Sequence, residues 1–218
     1  MKNRFKPLTL ATVVACAITS THLMAYEAGD LVVRGGVTQV ATDASSSVVA
    51  ADGSPVSGAQ VDVDDAIQLG LTLGYMYSNR VGIELLLATP FKHRVSGKGA
   101  LAGVDVAEVE QLPPTLSVIY YLNEGAAFKP YVGAGINYTM FFSEESKIGG
   151  GADLDDSFGL ALQVGADYQI NERLHINASA RWIDIDTQAT LTDTALGRVT
   201  TSVDIDPMVY SVMLGYTF

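Results

Sequence analysis

Arg34, Glu84, Asp167 and Arg181 stand in stretches that are otherwise apolar, small or neutral, and charge in such company has two chemical uses. Opposite signs can pair and lock a packed interior, or charged side chains can line a pore and select ions. Both signs are present, which favours pairing of Arg34 and Arg181 with Glu84 and Asp167 and leaves the pore as the alternative. Leu86 and Ile119 fall in the same inward phase yet are apolar, the chemistry of a greasy constriction. His93 sits between Lys92 and Arg94, a cationic patch suited to lipopolysaccharide phosphates on an external loop. His175 has no serine at a telling spacing, so no nucleophile and base are paired and no enzymatic activity is expected. Acids crowd the connecting segments at Asp62, Asp64 and Asp65, at Glu144 and Glu145, and at Asp153, Asp155 and Asp156. They lack the Asp-x-Asp-x-Asp-Gly ladder of a calcium loop. Solvation of exposed loops is therefore preferred over a divalent cation shared with lipopolysaccharide, and neither a metal nor a cofactor is expected.

The elements that must position these side chains are written in the hydropathy. From Ile67 to Tyr77 every second residue is apolar (Ile67, Leu69, Leu71, Leu73, Tyr75, Tyr77), while Gln68, Gly70, Thr72, Gly74 and Met76 fill the other phase. A helix would mix the two sets. The pattern recurs at 132–140 and 158–170. Extended, it predicts strands near 30–41, 66–77, 81–91, 109–122, 130–142, 157–170, 174–188 and 199–218. Connections alternate short (78–80, 123–129, 171–173) with mostly longer. This is the rule of an all-β, eight-stranded antiparallel transmembrane β-barrel with both termini in the periplasm. Aromatics such as Tyr75, Tyr120, Phe141 and Tyr168 cluster at strand ends, as interfacial girdles do. The last strand carries its apolar face through Tyr216 to the terminal Phe218, the kind of ending that barrel-insertion machinery reads. Pro90 ends the third strand and Pro113 and Pro114 open the fourth, so both sides of one external hairpin lose backbone donors at one height and the wall should loosen there.

Residues 1–25 combine Lys2, Arg4 and Lys6 with the apolar run Leu8–Ile18 and small or polar residues to Ala25, the layout of a removable signal peptide, leaving a barrel domain over 26–218. VVAC ending at Cys16 also loosely resembles a lipoprotein box, which would make Cys16 the first mature residue. After removal to Ala25 ten Lys and Arg remain against 24 Asp and Glu, a net charge of −14, which argues against nucleic acid as a partner. With Cys16 gone the chain has no thiol and no disulfide.

Longer segments point further. GIELLLATPFKHRV from Gly82, LPPTL from Leu112, FKPYVGAGINYTMFF from Phe128, GADYQIN from Gly165, DIDTQA from Asp184 and YEAGD from Tyr26 together resemble the outer membrane protein W family, in that family's order across 26–218. The resemblance implies a monomeric outer-membrane barrel implicated in uptake of small hydrophobic compounds, with stress-response and receptor roles also in view. It implies as well a hydrophobic constriction, to which Leu86 in the ELL segment would belong. Arg181, however, occupies a position where an aromatic would be expected. An eight-stranded barrel is nearly filled by its own side chains, so any conduit is narrow. The expected route takes small hydrophobic solutes into an apolar pocket under the external loops and out sideways past Pro90, Pro113 and Pro114 into outer-membrane lipid. Strand termination is the plainer use of those prolines. The alternative function is a structural or receptor barrel whose loops, rich in Ser, Gly, Ala and Asp as in SSSVVAADGSPVSG from Ser45, bind a partner while the bore carries nothing.

Overall fold

Alternation with a period of two becomes the inside and outside of one closed sheet. The computed structural model describes residues 25–42, 45–46, 50–52, 54–148, 150–194 and 197–218; all of the expected leader but Ala25 lies outside the described residues. Eight strands form the wall: β1 (Leu31–Ala41), β2 (Ala66–Met76), β3 (Val81–Ala88), β4 (Thr115–Tyr121), β5 (Phe128–Ser146), β6 (Ser157–Gln169), β7 (Leu174–Ile183) and β8 (Met208–Thr217). Each pairs antiparallel with its sequence neighbour, and β1 closes on β8 from Val32 opposite Thr217 to Ala41 opposite Met208. Even the last residue joins the seam, since the Phe218 N–H donates to the Leu31 carbonyl at 2.9 Å. Closure leaves no free edge, the condition for backbone to cross lipid.

The parity follows the sequence. On β6, Phe158, Leu160, Leu162 and Val164 are 54–68% exposed, whereas Gln163 and Asp167 between and below them are 3% and 0% exposed. The same faces recur at Ile67, Leu69, Val212 and Leu214. An apolar belt of this extent is the surface of a lipid-embedded protein, not of one dissolved in water.

Above the belt the structure departs from expectation. The segments read as mobile loops contain strands. Residues 59–63, 91–99, 105–112 and the upper part of β5 form one sheet. Residues 151–154, 186–194 and 197–204, with short pieces at 45–46, 50–51 and 54–55, form another. Their own alternation is short but real: Val61, Val95, Ala107, Leu191, Val199 and Val203 turn inward to a common apolar core. The 19 residues of β5 span about 60 Å at strand rise, twice what the bilayer needs, and so carry the wall far past it. Three expected strands are also interrupted. The fourth breaks at residues 113–114, the seventh stops at Ile183 and resumes at Asp186, and the eighth breaks at residues 205–207. The third ends at Ala88, and what was expected to be loop beyond it is strand again from Phe91.

Candidate functional site

Inside the barrel, inward positions on β1, β3, β6 and β7 bring the four charges together. Arg34 Nη1 meets Glu84 Oε2 at 2.8 Å, Arg34 Nη2 meets Asp167 Oδ2 at 2.9 Å, and Arg181 Nη2 meets Glu84 Oε1 at 2.9 Å. The Arg34 guanidinium also donates from Nε to His175 Nε2 at 3.1 Å and from Nη2 to the Tyr121 hydroxyl at 2.8 Å. Asp167 Oδ2 accepts the hydroxyls of Tyr26 and Tyr121, each at 2.7 Å, and its Oδ1 accepts from Asn177 at 2.8 Å. Gln163 bridges Glu84 and Arg181. Small residues make the room: Gly215 lies opposite both Arg34 and His175, and a Cβ there would overlap the imidazole. None of Arg34, Glu84, Asp167, His175 or Arg181 is more than 2% exposed, so the ion pairs are buried together, with Arg181 Nε left without a hydrogen-bond partner. The bore is closed by a polar plug.

Below it, at the end with the short turns, Tyr26 is 3% exposed. Its ring lies 4.9 Å from that of Tyr121 and has Lys129 Nζ 4.2 Å over its face. It acts as a stopper for that end.

Above the plug, between the two sheets at the loop end, is a cavity of about 300 Å³. It is lined by apolar side chains from both sheets, among them Val61, Val95, Val109, Phe141, Leu191 and Val203. A few polar side chains sit in that lining. One is His93, expected on a cationic loop. It is instead 1% exposed, because it points inward from residues 91–99 while Lys92 and Arg94 point out. Burial pushes its imidazole below the ordinary range, against the pull of the Asp64 carbonyl, so the ring is neutral at pH 7. Its Nδ1 contacts that carbonyl at 2.7 Å and its Nε2 the Gln111 side-chain amide at 2.8 Å.

The wall beside this pocket is incomplete. The β3–β4 ladder stops at Leu86 opposite Thr115 and restarts at Phe91 opposite Gln111. Among the described residues, 87–90 and 112–114 have no pairing across that gap. Pro90, Pro113 and Pro114 sit in it and lack the donors to close it. The comparable break between β7 and β8 is spanned, since Ile205 N–H donates to Ile185 at 2.9 Å and Ile183 N–H to Pro207 at 3.2 Å.

Residues 27–218 match the model of the OmpW family. The chain belongs to that family. Outer membrane protein W of Vibrio cholerae serotype O1 is 41% identical over 215 residues, covering 94% of this chain and 96% of that protein. The crystal structure of the outer membrane protein OprG from Pseudomonas aeruginosa superposes with a TM-score of 0.85 at 41% identity, covering 89% of this chain and 98% of that one. A protein of Pseudomonas aeruginosa named dibenzothiophene metabolism operon protein PahQ is 30% identical over 188 residues, 85% of this chain and 87% of that protein. This OmpW-family chain is thus a bacterial outer-membrane β-barrel of a non-enzymatic family.

The structure of this OmpW-family barrel sorts the expected site residues. Arg34, Glu84, Asp167 and Arg181 converge, whereas Leu86 and Ile119 do not form one constriction. Ile119 packs with Val32, Met76, Tyr121, Tyr131 and Tyr26 near the stopper. Leu86 lies four residues further along β3 than Gly82, the partner of Ile119, about 13 Å away at strand rise. The rings of Tyr216 and Phe218 meet at 4.6 Å between centroids, tilted by 60°, at the end of β8. The sequence reading missed Tyr26 and Gln111. Tyr26 was marked only by being aromatic just past the leader. Gln111 was hidden because its alternation was taken as membrane strand. Tyr26→Phe is expected to lower stability by about 1.5–3 kcal/mol, the worth of one hydrogen bond to the charged Asp167, and Tyr26→Ala by roughly 2 kcal/mol more through lost ring packing. Urea unfolding in micelles reads both, and equal losses would mean that the ring is not a packed stopper.

Proposed function

We propose that this barrel takes up small hydrophobic molecules, receiving them from outside in the apolar pocket and releasing them sideways through the gap into the outer leaflet. In this reading the segment through Ala25 is removed on export, the turn end and both termini face the periplasm, and the two added sheets stand outside the cell. The observation that carries it is an apolar cavity directly above a closed, charged plug. A greasy molecule that reached the plug would have to strip the ion pairs of their partners, and a lateral exit avoids that cost. The gap begins where Gln111, a pocket residue, makes the first pair above it, so pocket and exit adjoin. About 300 Å³ lies at the lower end of the range for small-molecule sites. PahQ is named for a dibenzothiophene metabolism operon, and dibenzothiophene is a small hydrophobic compound, which supports this reading.

Phospholipid alone is no barrier to such molecules, so the test uses vesicles with lipopolysaccharide in the outer leaflet and a hydrophobic tracer. Wild-type protein is expected to speed entry over empty vesicles; no acceleration would favour a receptor barrel. Replacing Pro90, Pro113 and Pro114 together by Thr restores three backbone donors and is expected to slow entry roughly fivefold by letting the ladder close. Unchanged entry would sink the lateral route.

A further inference from the structure

Four polar side chains interrupt the apolar lining of the pocket: His93, Gln111, Thr187 and Thr201. The Thr187 hydroxyl donates to the Asp155 carbonyl at 2.6 Å and the Thr201 hydroxyl to the Ser202 carbonyl at 3.3 Å. His93 Nδ1 faces the Asp64 carbonyl at 2.7 Å, and because a carbonyl only accepts, the ring proton is on Nδ1. Nε2 of this neutral ring is then an acceptor. The Gln111 atom 2.8 Å from it must be the amide nitrogen, since the flipped amide would set two acceptors against each other. The consequence falls on the other end of the amide. Gln111 Oε1 is buried with no hydrogen-bond partner, in a side chain 2% exposed. A buried amide oxygen with no protein partner is a standing penalty on the free protein, and only a donor relieves it.

We propose that the pocket selects apolar ligands that carry one hydrogen-bond donor, a hydroxyl or a ring N–H accepted by Gln111 Oε1, over the matching hydrocarbons and ethers. This rests on the reading of the pocket as the entry site and adds the ligand chemistry that it prefers. A hydrocarbon leaves the penalty in place, and an ether or ketone meets acceptor with acceptor. A donor removes the penalty and gains a bond in a medium where that bond is strong. The location orients the ligand too. Gln111 pairs with Phe91 at the rim of the wall gap, so the polar end of the ligand sits at the exit while its apolar body fills the cavity.

The test is calorimetric binding of 1-naphthol, 1-methoxynaphthalene and naphthalene to the mature protein in detergent micelles, with the double variant Gln111→Met, His93→Phe beside the wild type, because Gln111→Met alone would free His93 Nε2 as a second acceptor. Partition into micelles is common to both proteins and drops out of the comparison. The wild type is expected to prefer 1-naphthol over 1-methoxynaphthalene roughly tenfold more than the variant does, the worth of one hydrogen bond. Naphthalene carries no donor and is each protein's own reference, so the preference is read as a ratio within each protein. If all three bind with the same ratios in both proteins, the donor selectivity is wrong and the pocket reading stands. If none binds the wild type, the pocket reading itself fails and takes this inference with it. Should the variant not fold, the wild type against protein-free micelles decides: a naphthol preference no greater than the micelles' own overturns the proposal.

Discussion

Glu84→Gln is expected to cost about 3–5 kcal/mol of stability. One Glu84 oxygen takes Arg34 and the other takes Arg181, so the carboxylate is the keystone between two guanidinium groups. The amide removes the charge and turns one acceptor into a donor facing an arginine. Arg34 keeps Asp167 at 2.9 Å. Arg181, by contrast, keeps no carboxylate among the ion pairs of the described residues, and its Nε is already without a hydrogen-bond partner. The damage should therefore be an uncompensated buried Arg181. Adding Arg181→Met is expected to recover more than half of the loss, because removing both partners costs far less than removing one. Urea midpoints of wild type, both single variants and the double variant give the coupling directly. A loss below about 1 kcal/mol would mean that water screens these charges, as at an exposed ion pair, and that the plug is wet.

The largest functional effect should come from filling the pocket. Ala107 and Ala189 face it from opposite sheets, and Ala107→Phe with Ala189→Phe would set two rings into about 300 Å³. Tracer entry into vesicles with a lipopolysaccharide leaflet is expected to fall at least roughly tenfold, toward the rate of empty vesicles, since a filled cavity offers no apolar surface to trade for water. Stability should hold or change by about 1–3 kcal/mol if the rings overpack. Leu160→Phe, on the lipid face of β6, is the matching control and should leave entry unchanged. Entry that persists in the double variant would place the route elsewhere in the barrel.

Much of this was legible from side-chain parity alone. Phe158 to Ile170 fixed which residues of β6 meet lipid, and the same counting put Arg34, Glu84, Asp167 and Arg181 inside, where unlike charges have little choice but to pair. The prolines gave the gap, because a missing N–H is a property of the residue itself. What parity could not say is how far along the axis each inward residue sits, which depends on strand stagger, and so Leu86 and Ile119, read as a greasy constriction, lie at different heights. Arg181, troubling as a substitute for an aromatic, proved to complete a network with Glu84 and Gln163. The outer sheets were obscured because their runs, such as Val61 with Val63, are short and interleaved with Asp62 and Asp64; the apolar face exists only once distant segments meet. His93 was misjudged from its neighbours, since Lys92 and Arg94 belong to the opposite face of the same strand.

The charged cluster has one more consequence, for assembly. The partners of Arg34 lie 50 and 133 residues away in sequence, and the seam joins Val32 to Thr217 across nearly the whole chain. Slipping β1 by one residue against either neighbour would turn Arg34 from the bore to the lipid face, at a cost of about 2–4 kcal/mol at the bilayer midplane, and would orphan Asp167 as well. A hydrophobic belt tolerates such slips poorly but cannot tell a shift of two from none, because every second residue is alike. The buried pairs can. They act as a vernier, so that a barrel closes its charges only when all eight strands are in register.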